Sequence, residues 1–213
     1  MMHIEIIPQK LYEGCLLAAL AHAVTVGEYP EFNYEHSWDG MNYCMNNSKG
    51  CRGTITFHEK YIVAAFRDEN RVVSSKEAIN YFEGAEAEIV ELANAETLQY
   101  LLDAADGVTN PVITTALWGT WEELFSNQSM EIILDNCANI IENQLLEFSN
   151  AMEAWNDNYE FHDEQESLIK TLFSKKMSEG SSKAITLNND EVDMLYGEID
   201  ECAESLRELN ILI

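Results

Sequence analysis

Residues 35–53, EHSWDGMNYCMNNSKGCRG, concentrate side chains that bind ligands or take part in catalysis. Cys44 and Cys51 flank a turn at a separation that a hairpin would bring face to face. A catalytic thiol needs a thiolate, which positive charge favours, and a general base, and His36 and Arg52 supply both kinds of group nearby. One cysteine pair without a second pair of ligands specifies neither a disulfide nor a metal site, and no enzyme motif surrounds either cysteine. The chemistry of this stretch therefore stays open.

Four residues of the same stretch are candidates for binding a ligand or a partner: Trp38, Asp39, Tyr43 and Arg52. Binding residues are often found on loops that a rigid scaffold holds in place. Aromatic residues such as Trp38 and Tyr43 are more often packed in a core or at the edge of a sheet than used as a platform for a ligand. The guanidinium of Arg52 would either pair with the chain's own carboxylates or receive an anionic group.

The charge of the chain is its most unusual property. The 213 residues include 38 Asp and Glu against 12 Lys and Arg, for a formal net charge of −26. Residues 77–169 contain twenty acidic residues and no Lys or Arg, and residues 76–213 carry −23 of the total. With 46% hydrophobic residues the chain can bury a core, so it is not a disordered acidic tail.

The acidic residues of the C-terminal part fall between apolar positions spaced for helices, which places them on solvent-facing sides. They include the candidate binding residues Glu142, Glu147, Glu153 and Asp157, and a second set from Glu191 to Glu208 on the last helix. Such a surface is either a solvated face that aids solubility or a complement to a basic protein. The same charge argues against binding nucleic acid or an anionic membrane. We therefore expect a basic protein partner, no nucleic acid and no membrane.

No cofactor or metal is expected from the remaining motifs. The cluster at residues 162–166, HDEQE, matches neither a calcium loop nor a zinc-protease helix, and its acids suit the start of a helix. The sequence contains no P-loop, no dinucleotide glycine fingerprint and no G-x-S-x-G elbow.

The N-terminal part is expected to hold one helix. The apolar run at residues 14–26, GCLLAALAHAVTV, is shorter than the roughly 20 residues that a membrane span needs. The segment before it is not basic, as the start of a signal peptide would be. The run therefore favours a buried amphipathic helix over residues 9–26 rather than a signal peptide. The protein is then expected in the cytoplasm, where its five cysteines would be reduced.

An antiparallel meander of about four strands is predicted over residues 41–73. Apolar and polar residues alternate over 41–45 and 51–57 around the turn NNSKG, and the runs YIVAAF and RVV follow after further turns.

Helical periodicity dominates beyond the meander. Ser74 and Glu77 have the spacing of a capping box, residues 96–105 favour a helix, and VITTALW fits either a strand or a buried helix. An apolar stripe over residues 129–155 predicts one long helix. Two further helices are expected over residues 163–177, ending at Gly180, and over residues 192–209.

Together these patterns predict an α+β fold, with an N-terminal helix and a small antiparallel β-meander in residues 1–75 and a larger, acidic, mainly helical part in residues 76–213. The function expected from the charge is that of an acidic protein-binding module: an inhibitor, immunity protein or regulator of a nuclease-like or nucleic-acid-binding protein. The alternative is a small-substrate enzyme with its site in the hairpin of residues 38–52.

Overall fold

The structure is a computed structural model that describes residues 1–72, 76–105, 108–180 and 183–213. It has an α+β fold containing an antiparallel sheet. The chain divides into two compact units, each made of two segments: Met1–Tyr12 with Met41–Glu142 (unit 1), and Glu13–Gly40 with Asn143–Ile213 (unit 2). Neither unit ends near residue 75, where the composition changes.

A seven-stranded antiparallel sheet is the largest element of the fold, with the strand order β1-β9-β8-β5-β4-β3-β2. Its strands are β1 (Met2–Ile4), β2 (His36–Asp39), β3 (Asn42–Asn46), β4 (Cys51–Phe57), β5 (Tyr61–Asp68), β8 (Thr115–Thr120) and β9 (Leu124–Ser126). Two small two-stranded sheets are formed by β6 (Leu102–Ala105) with β7 (Val108–Pro111), and by β10 (Ile185–Thr186) with β11 (Ile211–Leu212).

Seven α-helices accompany the strands in the described part of the chain. They are α1 (Pro8–Thr25), α2 (Ala87–Ala95), α3 (Met130–Asp135), α4 (Phe148–Tyr159), α5 (Asp163–Glu179), α6 (Asn189–Val192) and α7 (Ile199–Glu208). Short 3-10 helices occur at Pro30–Phe32, Ala78–Phe82, Thr97–Tyr100, Ala138–Ile141 and Asn143–Leu145.

The meander is confirmed for three of its four strands. Strands β3, β4 and β5 pair in antiparallel register, with Tyr43 opposite Ile55 and Ile55 opposite Ala64. The fourth run, RVV, is not a strand at Arg71 and Val72, and Val73 lies outside the described residues. The predicted N-cap Ser74 also lies outside them. The sheet is larger than predicted because β8 pairs with β5 from a distant part of the sequence.

Unit 1 buries its core between the sheet and the short helices that follow β5. Phe82 and Trp118 pack with their ring centroids 5.7 Å apart, and α2 adds the buried Ile89 and Ala93. These apolar contacts hold β5 and β8 in place, and with them the loops at the ends of the strands.

The two helices predicted over residues 96–105 and 129–155 are not formed as predicted. The helix expected over residues 96–105 is instead the 3-10 helix Thr97–Tyr100 followed by β6, and VITTALW supplies β8. The long helix expected over residues 129–155 is broken into α3, two 3-10 turns and α4. It breaks at Cys137, whose φ of 77° is left-handed and cannot continue an α-helix. The mainly helical description is therefore not confirmed for residues 76–142, where helices alternate with the strands β6 to β9.

Unit 2 contains most of the helical structure. Helix α1 is buried on all sides from Gly14 to Thr25, so it is not the amphipathic helix predicted. Helix α5 begins at Asp163 and is followed by Gly180, as predicted. The last helix is broken into α6 and α7 near Gly197, whose φ is 71°. A Cβ at Gly27 would lie 2.4 Å from the Tyr196 carbonyl oxygen, so only glycine allows this close approach.

Candidate functional site

Helix α4 is held in unit 2 by a buried aromatic cluster on its inner face. Trp155 and Tyr159 stack with ring centroids 5.9 Å apart, and the His36 ring meets Trp155 edge-on at 5.3 Å. The Tyr159 hydroxyl donates a hydrogen bond of 3.0 Å to Glu35 Oε2. These contacts fix which side of α4 faces solvent.

Two histidines in this cluster are buried and held neutral. His22 Nε2 donates to the Phe32 carbonyl at 3.1 Å, and its ring lies 5.5 Å from that of His36. Burial lowers the pKa of His22 from 6.5 to about 4. Burial, and then the neighbouring His22, lower the pKa of His36 as well. The cluster therefore resists protonation.

The outer face of α4 carries three of the predicted binding residues. Glu147, at the N-cap position, and Glu153 and Asp157 within the helix are all exposed. Glu153 and Asp157 are four residues apart on the same side, where like charges repel by about 0.2–0.5 kcal/mol. Asp157 also lies in the last turn, which the helix dipole makes unfavourable for an anion. We call these three residues the α4 acidic face.

Helix α7 exposes a second line of carboxylates at four-residue spacing: Asp200, Glu204 and Glu208, which we call the α7 acidic stripe. Glu208 Oε2 accepts a 2.7 Å hydrogen bond from the backbone N–H of Trp38, which connects the stripe to β2. Partial burial, together with repulsion from Glu204 and Asp39, raises the pKa of Glu208 despite that hydrogen bond. A bound cation would relieve this repulsion.

The predicted residues Trp38 and Asp39 thus lie beside the end of the α7 acidic stripe. Asp39 is exposed, whereas Trp38 is only 9% exposed and its indole N–H donates to the Gly40 carbonyl at 3.1 Å. Trp38 therefore stabilises the backbone on either side of Asp39, and most of its ring is not accessible to a ligand or partner.

Most of the basic groups of unit 2 are engaged within the unit. Unit 2 contains 21 acidic and five basic residues, a net charge of −16. Lys170, Lys175 and Lys183 form ion pairs with Glu166, Glu191 and Glu179, respectively. Lys176 is buried, and its Nζ donates to the Lys183 carbonyl at 2.7 Å. The surplus of negative charge therefore faces solvent.

Glu191 was expected on the acidic surface and is instead buried, at 8% exposure. It completes a capping box with Asn188 at the start of α6 and pairs with Lys175 at 2.6 Å. Although burial alone would raise it, the hydrogen bonds from Lys175 and Asn188 hold the pKa of Glu191 below its usual value. Its role is structural.

The other predicted residues belong to unit 1 and differ in accessibility. Tyr43 is fully buried at 0% exposure, so its ring is part of the core. Arg52 is half-buried; its Nη2 is bonded to Asp103, and its Nε lies 3.1 Å from Glu69 Oε1. Glu142, at the end of the unit, is exposed.

One feature of unit 1 was not predicted from the sequence: a disulfide joins Cys51 to Cys137. Its Cα atoms are 5.5 Å apart, and the two cysteines are separated by 86 residues. The structure therefore differs from the expectation that all five cysteines are reduced, and it does not form the Cys44–Cys51 pair that the sequence left open. Cys44 Sγ lies 3.6 Å from the Thr54 hydroxyl and is not part of a disulfide. No sequence signal points to this pair, because its two cysteines are separated by 86 residues.

Charged side chains surround the disulfide. Asp68 is the register partner of Cys51 across β4 and β5, and its Oδ2 accepts from Arg71 Nε at 3.1 Å. Arg71 also donates to the backbone and side chain of Asp135 at the end of α3, two residues before Cys137. Arg71 thus connects the strand that lies beside Cys51 to the turn that carries Cys137.

Within the described ranges, one group of side chains has the spacing of metal ligands. One ligand atom from each of Cys51, Asp68 and Cys137 lies within 4.8 Å of the others. None of the helices described is both long and apolar enough to cross a membrane. Comparison with family models, curated proteins and solved structures finds no match to the chain.

Proposed function

We propose that the protein is an acidic protein-binding module that acts as an inhibitor, immunity protein or regulator of a basic protein in the cytoplasm. Its partner surface would be the α4 acidic face and the α7 acidic stripe, with Asp39 beside the stripe. A nuclease or a nucleic-acid-binding protein presents the required positive cleft. The proposal excludes nucleic acid and anionic membranes as ligands of this surface.

The observation that carries the proposal is where the carboxylates are placed. Glu153 and Asp157 repel each other at four-residue spacing, and Asp157 and Glu208 lie in last turns, where the helix dipole disfavours anions. At Glu208, burial first and then repulsion from Glu204 and Asp39 raise the pKa. Lysines at some of these positions would stabilise the helices and keep them soluble, so solubility alone does not account for the pattern.

The binding proposal is preferred over a small-substrate enzyme in the hairpin of residues 38–52. Cys51 is engaged in a disulfide, Tyr43 is buried, and Arg52 already contacts two carboxylates. A catalytic role for the hairpin would require each of these groups to be released first.

The test begins with capture of partners from host lysate at low salt, after nuclease treatment to remove bridging nucleic acid. The captured basic protein is purified and titrated against the parent protein and against a variant with Glu147→Gln, Glu153→Gln and Asp157→Asn. A matched control, Glu83→Gln, Glu122→Gln and Glu131→Gln, removes the same charge from exposed residues of unit 1.

We expect a stoichiometric complex whose association rate falls about tenfold or more in the α4 variant and much less in the control. Poly-L-lysine measures non-specific attraction and should respond to both variants alike. If the purified partner also responds to both alike, or if no stoichiometric complex forms, the proposal is wrong.

A further inference from the structure

The disulfide of unit 1 joins two cysteines that, when reduced, would form part of a binding site for a divalent cation such as Zn²⁺. Two thiolate sulfurs and one carboxylate oxygen, from Cys51, Cys137 and Asp68, are the ligand types of a zinc site that keeps one position open. The three ligand atoms come from separate elements, because β4, β5 and the turn after α3 each supply one.

The surrounding structure holds the three ligands whether or not the sulfurs are bonded. Cys51 and Asp68 are fixed by the register of β4 with β5. Cys137 is fixed by its neighbours, because Thr114 Oγ1 donates to the Asn136 carbonyl at 2.9 Å and Arg71 Nη2 donates to the Asp135 carbonyl at 2.8 Å. Loss of the S–S bond therefore leaves both thiols near Asp68.

We infer that Cys51, Cys137 and Asp68 form a redox-gated zinc site: the oxidised pair is a disulfide and excludes the metal, and the reduced pair binds Zn²⁺ together with the Asp68 carboxylate. Water would fill the fourth position. Zinc binding would replace the contact between Arg71 Nε and Asp68 Oδ2, while Arg71 Nη2 keeps its hydrogen bonds to Asp135. The inference concerns unit 1 and does not depend on the proposed function.

The reduction step balances with a cellular dithiol as reductant. A thiolate of the dithiol attacks the sulfur of Cys51, which is the more exposed of the pair, and expels Cys137 as a thiolate. The second thiol of the reductant then closes its own disulfide and releases Cys51, so two electrons pass to the protein. Zn²⁺ binds both thiolates, and any proton still held by a thiol is released to water. In a reducing compartment the zinc form would dominate.

The test uses the full chain reduced by a phosphine, which adds no competing thiol, and then titrated with Co²⁺ as a spectroscopic probe. Thiolate coordination gives a charge-transfer band in the near ultraviolet, and added Zn²⁺ should abolish it. We expect the band in the reduced protein at one Co²⁺ per chain and no band in the oxidised protein.

Variants assign the ligands. Cys51→Ser and Cys137→Ser should each remove most of the band, and Asp68→Asn, which keeps the side-chain size, should weaken Co²⁺ affinity about tenfold or more. Cys44→Ser is the matched control, because Cys44 is a partly buried thiol on the neighbouring strand and should leave the titration unchanged. Far-ultraviolet circular dichroism checks that each variant is folded.

Several results would overturn the inference. These are a reduced protein without the band, a band that survives Cys51→Ser, a Co²⁺ affinity unchanged by Asp68→Asn, or equal binding by the oxidised protein. A loss of the band in Cys44→Ser with a normal fold would assign the metal to other thiols and would also contradict it.

Discussion

Reduction of the Cys51–Cys137 disulfide should destabilise unit 1 strongly, because the loop it closes contains most of that unit. The two cysteines are 86 residues apart, and both lie in the segment Met41–Glu142. The cross-link restricts the unfolded chain, so breaking it increases the entropy of the unfolded state more than that of the folded state.

The size of the effect follows from the loop length. For a loop of 86 residues the chain-entropy relation gives about 4.6 kcal/mol at 25 °C. With a urea dependence of about 2 kcal/mol per molar, the unfolding midpoint should fall by about 2 M urea. This is an upper value, because residual structure in the unfolded chain reduces the entropy that the disulfide removes.

The assay is urea unfolding followed by circular dichroism and by tryptophan fluorescence, to which the buried Trp118 of unit 1 contributes. It is run with and without a phosphine reductant, and with a chelator to exclude metal. A Cys51→Ser, Cys137→Ser double variant should unfold like the reduced parent and be insensitive to reductant. Cys44→Ser should behave like the parent in both states. Added Zn²⁺ should restore part of the lost stability to the reduced parent and none to the double variant.

A midpoint shift below about 0.5 M urea, corresponding to about 1 kcal/mol, would refute the reasoning. So would a double variant that still responds to the reductant, because the reduced bond would then not be this one.

Three further predictions concern unit 2. The pKa of His22 is about 4 in the folded state, whereas that of an unfolded histidine is near 6.5. The unfolded state therefore binds more protons as the pH falls. Up to about 3 kcal/mol of the free energy of unfolding should be lost between pH 6.5 and 4. In urea unfolding, His22→Gln should reduce the dependence of the free energy of unfolding on pH, whereas His3→Gln, at an exposed histidine, should leave it unchanged. The same pH dependence in His22→Gln and the parent would contradict the assignment of the loss to His22. Asp157→Lys replaces a repulsion with Glu153 by an attraction, so thermal unfolding should show a free energy of unfolding about 0.5–1 kcal/mol higher at low salt. The same variant should bind the partner more weakly. A stability gain that persists at high salt would show that the attraction is not its cause. Glu208→Gln keeps an oxygen for the Trp38 N–H but removes a carboxylate whose pKa is raised by burial and then by repulsion from Glu204 and Asp39. The unfolding midpoint should therefore rise at pH 7, and the gain should shrink towards pH 4 as Glu208 becomes protonated. An equal gain at both pH values would mean that the charge of Glu208 is not the reason.

Local patterns predicted those elements whose limits are set by nearby residues. Helix α5 begins with acids that suit the helix dipole and is followed by a glycine. Strands β3 and β4 alternate about a turn rich in Asn and Gly. In each case the signals lie within a few residues of the element.

Elements that depend on distant partners were missed. The apolar stripe over residues 129–155 is compatible with one helix, but Cys137 has a left-handed backbone and bonds to Cys51, 86 residues away. VITTALW becomes a strand because β5 offers it a pairing edge. Disulfide connectivity cannot be read from sequence, so neither the broken helix nor the Cys51, Asp68 and Cys137 group could be expected.

Helical periodicity predicted which carboxylates of α4 are exposed, whereas their role in binding stays a prediction. Glu153 and Asp157 are exposed as expected because Trp155 and Tyr159 define the inner face of α4. Glu191 is the exception, because a capping role at α6 and the ion pair to Lys175 draw it inward. Tyr43 is buried because it lies on β3, in the interior of the sheet.

The central claim, that the acidic helices of unit 2 bind a basic protein, is tested most directly by the salt dependence of the Kd for the purified partner. Between about 0.1 M and about 1 M salt the Debye length falls from about 10 Å to about 3 Å, which screens charges on exposed surfaces. We expect the Kd of the parent protein to rise at least tenfold over this range, and that of the variant with Glu147→Gln, Glu153→Gln and Asp157→Asn to rise much less. A Kd that is independent of salt, or the same dependence in both proteins, would contradict the claim.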